Sequence, residues 1–308
     1  MEPIIAPVDR EAIIAELTDD KFLRDSHFGS NKIYTLNNSN SPNVMREIGR
    51  LRELAFRRAG GGTGKSIDID EFDIHPTHPY EQIIVWNPES KQILGGYRYI
   101  LCADSSNGNG SYDLATTELF KFSETFKKNY LPYTLELGRS FVYYDTHSGA
   151  SARRSIFTLD NLWEGIGAVI ALNPQIRYLF GKVTMYLNYD KLARDYILYF
   201  LNKHFKDNDN LVTTIEPLSY HHPESELANI FTGKNLKEDY KILFTKVRER
   251  KHNIPPLINS YINLTDTMKT FGTSLNKGFG AVEETGILVT ISDIVSEKMD
   301  RYILSYQI

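Results

Sequence analysis

The chain has 308 residues, with 35 lysines and arginines against 39 acidic residues and a formal charge of -4. That length is enough for one large domain or two small ones with a full core, and the charge balance excludes a nucleic-acid-coating role, so no nucleic-acid partner is expected. A single cysteine, Cys102, excludes a disulfide framework and a cysteine zinc site, and no run reaches the ~18 apolar residues that a spanning helix needs.

The opening MEPIIAPVDREAIIAEL has neither a basic start nor a long apolar core, so no signal peptide is expected. A cytoplasmic protein follows, at most peripheral at the inner face of the cytoplasmic membrane. In chain order, residues 8–17 read as a short amphipathic helix and 32–36 as a first strand. Ser41-Pro42 starts the clearest helix, 43–58, with Val44, Ile48, Leu51, Leu54, Ala55 and Phe56 on a helical period.

AGGGTGKS at 59–66 matches a relaxed phosphate loop with Ala59 in the place of the first glycine. That chemistry needs a strand before the loop and a helix after it. Here a helix precedes and the acidic stretch SIDIDEFD follows, so the match is accidental and the segment reads as a mobile Gly-rich loop.

Residues 81–87 and 92–102 read as a hairpin, 117–128 as a helix, and LPYTLELGRSFVY at 131–143 as a central strand opened by Pro132. Beyond it come a helix at 151–171, a strand at 178–187, a helix at 190–205 and a strand at 211–215. A charged helix at 239–251, a strand at 286–291 and a helix at 292–302 complete the series. His221-His222 lacks a third ligand at a fitting spacing, and no metal site is assigned. Strands alternating with helices indicate an α/β fold with a mixed central sheet flanked by helices.

The central strand carries Glu136 and Arg139, charges that are expensive in a core unless paired or used. Residues three apart on a regular strand point to opposite faces, so the two are not expected to form a same-face pair. One of them is expected to face a ligand. Arg52 and Phe56, Asp70 and Asp73, Arg98, and Glu136 with Arg139, in that order, resemble the acyl-homoserine lactone synthases and the wider GNAT-like N-acyltransferases that use acyl carrier protein.

A closer resemblance is to the bacterial amino-acid N-acyltransferases that make lyso-glycine or lyso-ornithine lipids, often labelled hemolysin-like. It is carried by GRLRELAF with Gly62-Thr63-Gly64 and DEFD, by ELGRSFV, and by LWEGIG leading to YLFGKV. Ile254-Pro255-Pro256-Leu257 with Tyr261, Leu264 and Phe279-Gly280 resembles the C-terminal signature of the ornithine-lipid enzymes, and 159–205 looks most like the Bacteroidetes, glycine-lipid branch.

The resemblance implies a GNAT-like core at 41–218, preceded by a segment at 1–40 and followed by a C-terminal extension at 219–308 packed on the same domain. It also implies transfer of a (3-hydroxy)fatty acyl group from acyl carrier protein to the α-amine of a small amino acid, glycine first and ornithine second, with no permanently bound cofactor. Glu136 is the expected base, and a backbone N–H near Ser140 or Phe141, beside Arg139, the expected oxyanion donor. Arg52, Arg98 and Arg139 are expected to line the acceptor side because a planar guanidinium grips a carboxylate bidentately.

Asp70 and Asp73 are expected to hold those arginines or the amine, with purely structural ion pairing as the other reading. Phe56 either closes over the site or serves as a core aromatic, and Cys102 reads as a small core residue. SGASARRS at 148–155 departs from the Gly-rich turn of coenzyme A users, which favours a carrier protein. Acidic carriers call for cations, here Arg153, Arg154, Lys182, Lys191 and Arg194. Two other readings are a homoserine-lactone-type signal synthase using S-adenosylmethionine, disfavoured by the long C-terminal part, and a non-catalytic lipid- or membrane-binding (hemolysin-like) protein, disfavoured by the negative charge and the lack of a lysine-rich amphipathic helix.

Overall fold

The structure is a computed structural model and describes residues 1–108, 110–143 and 151–306, excluding the side chains of 151–156. Its strands are β1 (Phe22–Asp25), β2 (Lys32–Leu36), β3 (Glu81–Asn87), β4 (Gln92–Leu101), β5 (Phe120–Phe122), β6 (Thr134–Val142), β7 (Tyr178–Met185), β8 (Val212–Thr214), β9 (Lys269–Asn276) and β10 (Val282–Thr290). The helices are α1 (Arg10–Glu16), α2 (Pro42–Ala59), α3 (Glu124–Asn129), α4 (Ser151–Leu172), α5 (Lys191–Phe205), α6 (Glu224–Ile230), α7 (Leu236–Glu249), α8 (Pro256–Ile262) and α9 (Ser296–Met299). None of the described helices is long and apolar enough to cross a membrane.

The chain forms two compact units. The first comprises Met1–Ala115, Pro132–Arg177 and Ser296–Ile308. In it β1, β2, β3, β4 and β6 pair in that order, each antiparallel to its neighbour. Consecutive residues of β3 show how the sheet is covered: Gln82 meets Arg52 of α2, while Ile83 on the other face lies where Gly165 of α4 leaves room, 2.5 Å from the position a Cβ would take. Gly167, one turn-half later, lets the carbonyl of Tyr302 approach to 1.9 Å from its own absent Cβ, which seats the C-terminal turn of this unit on α4.

Helix α2 begins with Pro42 at its first turn and ends at Gly60 in the left-handed region, φ 103°. Buried Glu53 of this helix accepts from the N–H groups of Thr63 and Gly64, from the Thr63 hydroxyl and from Arg57. Donors that a phosphate would need are therefore occupied by the protein's own carboxylate, and the Gly-rich segment is tied down rather than mobile.

The second unit comprises Thr116–Leu131 and Tyr178–Val295. There β7, β10 and β9 form an antiparallel set, and β5 pairs with β8. Residues 117–128, read above as one helix, split into the strand β5 and the short α3. Phe120 and Phe126 are both fully buried, and Ser123 between them caps α3 through the Phe126 N–H, so tertiary burial overrides the helical pattern.

Candidate active site

Strand β6 is interrupted by a bulge. Gly96 of β4 stands opposite Phe141 and Arg98 opposite Gly138, so two steps on β4 face three on β6. The extra residue is accommodated at Arg139, which takes a left-handed conformation at φ 50°. Such a conformation costs a non-glycine residue about 1–2 kcal/mol and is kept only where its surroundings dictate it. Here the guanidinium is held by Asp68 at 3.1 Å and Asp70 at 3.3 Å.

The bulge also breaks the strand alternation. Glu136 and Arg139, expected on opposite faces, both turn toward the α2 side of the sheet, where the charged residues gather. Arg98 donates from Nη1 to both oxygens of Asp70 at 2.7 Å and lies 3.4 Å from Asp73. Arg52 donates to Asp73 at 2.9 Å and to the Gln82 carbonyl at 2.5 Å, and the Gln82 amide donates to Asp73 at 3.1 Å. Glu136 accepts from the Tyr80 hydroxyl at 2.9 Å.

Two glycines of the quoted motifs make this packing possible. Gly49 of α2 leaves room for Ile67 and Ile69, each under 3 Å from where its Cβ would sit, and its carbonyl accepts from the Asp68 N–H. Gly138 leaves 3.3 Å for Nε of Arg98. The Nε atoms of Arg52 and Arg98 are buried without a hydrogen-bond partner among the described residues.

Exposure separates the cluster into framework and rim. The side chains of Arg52 and Asp73 are completely buried and that of Arg98 is 2% exposed, whereas those of Asp70 and Arg139 reach 19% and 12%. Burial alone would raise the Asp70 pKa, but Arg98 and Arg139 override it and hold the carboxyl well below the usual carboxylate range. Asp68 goes the other way: burial outweighs its arginine neighbours and pushes it up. Burial and the adjacent Glu136 push both the Tyr80 phenol and the Cys102 thiol well up, so each stays protonated at neutral pH.

The depressed Asp70 carboxyl contributes stability that is fully present above its unfolded value of about 3.9 and is lost as pH falls toward the lower folded value. The stability of the wild type, read by chemical denaturation, should therefore fall between pH 5 and 3 by more than that of Asp70→Asn. Equal acid sensitivity in the two proteins would refute this.

Residues 51–155 match the acetyltransferase (GNAT) domain family. Over 307 residues the chain is 52% identical to a protein of Phocaeicola vulgatus named glycine N(alpha)-acyltransferase, covering 99% of this chain and 94% of that one. It is equally identical to a Bacteroides thetaiotaomicron protein of the same name, covering 99% and 91%. The chain belongs to the glycine N(alpha)-acyltransferase family.

It is an acyltransferase with a GNAT-type α/β fold, and its reaction uses an acyl donor. Among solved structures it is similar to FeeM, an N-acyl amino acid synthase from uncultured soil microbes, at 13% identity and TM-score 0.41 over 87% of this chain and 98% of that one. That likeness is too slight to carry an argument.

In this acyltransferase the sequence motifs on α2, β4 and β6 and at 70–73 come together in the first unit, with Asp70 and Asp73 pairing the arginines. Phe56 is a buried residue of α2, one turn after Arg52. The cations expected to meet an acidic carrier fall into three groups. Arg153 and Arg154 lie outside the described side chains, and Lys191 is exposed. Lys182 is bound to Glu284 at 2.7 Å, and Arg194 to Glu283 and Asp195 at 2.7 Å each, so their charges are neutralised inside the second unit.

Three residues of the cluster were missed in the sequence: Asp68, Tyr80 and Gln82. Asp68 stands two before Asp70 in an alternating acidic stretch, and Tyr80 and Gln82 share one strand parity just ahead of the apolar run 83–86, which is the signal that could have found them.

His75, His78 and Asp113 are the group of three potential metal ligands among the described residues. Nδ1 of His75 accepts from the backbone N–H groups of Thr77 and His78, which places its proton on Nε2, the atom facing Asp113 at 3.4 Å. The two imidazoles also stack at 3.5 Å, so their in-plane lone pairs do not converge. These residues fit a loop clamp rather than a metal centre.

Proposed function

We propose that this acyltransferase moves a (3-hydroxy)fatty acyl group from the thioester of acyl carrier protein to the α-amine of glycine, releasing an N-acylglycine. The observation that carries this reading is the convergence at the bulge: a carboxylate and a guanidinium with partial exposure, Asp70 and Arg139, stand beside the interrupted strand with Glu136 behind them on the same sheet face. The names of the two relatives supply the acceptor.

Asp70, kept anionic by its arginines, suits the α-ammonium, and Arg139 suits the acceptor carboxylate. Glu136 takes a proton from the ammonium, directly or through one water, and the nitrogen attacks the thioester carbonyl. The resulting oxyanion is received by a backbone N–H at the bulge, near Ser140 or Phe141. Collapse breaks the C–S bond, and the proton that the attacking nitrogen gives up as it becomes an amide passes to the departing thiolate, so that the carrier leaves as its thiol. For the donor, the departure of 148–155 from the coenzyme A turn supports a carrier protein, with exposed Lys191 as the cation offered to it.

Arg139→Lys tests the acceptor role. Loss of a planar, charge-assisted grip is worth about 1.5–3 kcal/mol, so KM for glycine should rise by roughly 10- to 100-fold while kcat falls less. An unchanged KM in a folded Arg139→Lys protein would remove Arg139 from the acceptor site.

A further inference from the structure

Tyr80 is 1% exposed and sits immediately before β3, outside every motif read from the sequence. Its hydroxyl has one proton and two directions in which to bond. The Ala115 N–H donates to the phenol oxygen at 3.0 Å, which occupies the acceptor side and leaves the proton to go to Glu136 at 2.9 Å.

The ring is fixed as firmly as the hydroxyl. The Arg98 guanidinium lies 4.9 Å from its centre, and Phe72 meets it edge-on at 5.7 Å. The Tyr80 carbonyl accepts from the Gln82 amide at 3.1 Å, so the same side chain that joins Arg52 to Asp73 also pins the Tyr80 backbone. From these contacts we infer that Tyr80 is a positioning residue for acyl transfer: its hydroxyl orients the Glu136 carboxylate and favours the ionised form that accepts the amine proton.

The direction of the effect follows from that geometry. A hydrogen bond donated to a carboxylate favours the ionised form, so the phenol lowers the pH at which Glu136 becomes competent as a base. The phenol itself stays neutral because burial and Glu136 both oppose its ionisation. It therefore acts as a fixed donor and exchanges no proton with the substrate.

This inference rests on the reading of Glu136 as the base, and the test separates the two. Tyr80→Phe keeps the ring under Arg98 and beside Phe72 and removes only the hydroxyl. In that variant the acid limb of kcat/KM for glycine should move to higher pH by about 1 unit, with kcat at neutral pH down about 10-fold and little change in KM for the acyl donor. Because Tyr80 works through Glu136, Tyr80→Phe should have no further effect when added to Glu136→Gln.

An unmoved acid limb in folded Tyr80→Phe, or a full additive loss in the double variant, would overturn the Tyr80 inference and leave the Glu136 reading standing. Full activity of Glu136→Gln alone would instead overturn the reading beneath it.

Discussion

Glu136→Gln should fold as the wild type does and lose acyl transfer by about 10²- to 10⁴-fold, the range a positioned general base contributes. Glutamine has the same shape, and its carbonyl oxygen still accepts from the Tyr80 hydroxyl, so the buried environment of a side chain only 2% exposed is preserved. What disappears is the ability to take the proton from the ammonium. The deficit should consequently narrow as pH is raised and more of the glycine reaches the site already as free amine. A variant with full activity, or one whose deficit is the same at every pH, would take the proton-accepting role away from Glu136.

The second large effect is on stability. Arg52→Ala should destabilise the protein by about 3–5 kcal/mol, because it strips one partner from a buried ion pair. Arg52 is completely buried, donating to Asp73 and Gln82, and its removal leaves the buried Asp73 carboxylate with Arg98 at 3.4 Å as its charged partner among the described residues, besides the Gln82 amide and the Asp70 N–H at 3.3 Å.

Against a typical total of about 5–15 kcal/mol this is a large share, readable as a drop in the urea midpoint. Arg52→Lys keeps the charge but not the fork that reaches Asp73 and Gln82 together, and should fall between wild type and alanine. A loss below about 1 kcal/mol in Arg52→Ala would mean that the buried network does not hold α2 to the sheet.

Much of the site was legible because its residues are of types that a core excludes unless they are paired. Arg98, Glu136 and Arg139 stood out as charges on otherwise apolar elements, whereas Arg52, one of five arginines on α2, stood out through the motif it shares with Phe56; α2 itself was legible from Pro42 and its apolar period. The bulge was not, since an arginine in the left-handed region carries none of the warning that a glycine there would give, and without the bulge Glu136 and Arg139 fall on opposite faces.

Long-range pairing was equally hidden. Lys182 and Arg194 looked like surface cations until β10 brought Glu284 and Glu283, adjacent in sequence and opposite in strand parity, to each of them. In the same way β9 was obscured by Gly272, at φ 85°, and by polar Thr and Ser residues that the fold nonetheless buries.

The most direct measurement is to incubate the purified protein with 3-hydroxypalmitoyl acyl carrier protein and, in separate reactions, glycine, ornithine and the other amino acids, and to identify lipid-soluble products by mass spectrometry. N-acylglycine, formed from glycine in clear preference to ornithine, is the predicted result. Consumption of the donor with acylation of a different amino acid, or no acylated amino acid with any acceptor, would contradict it.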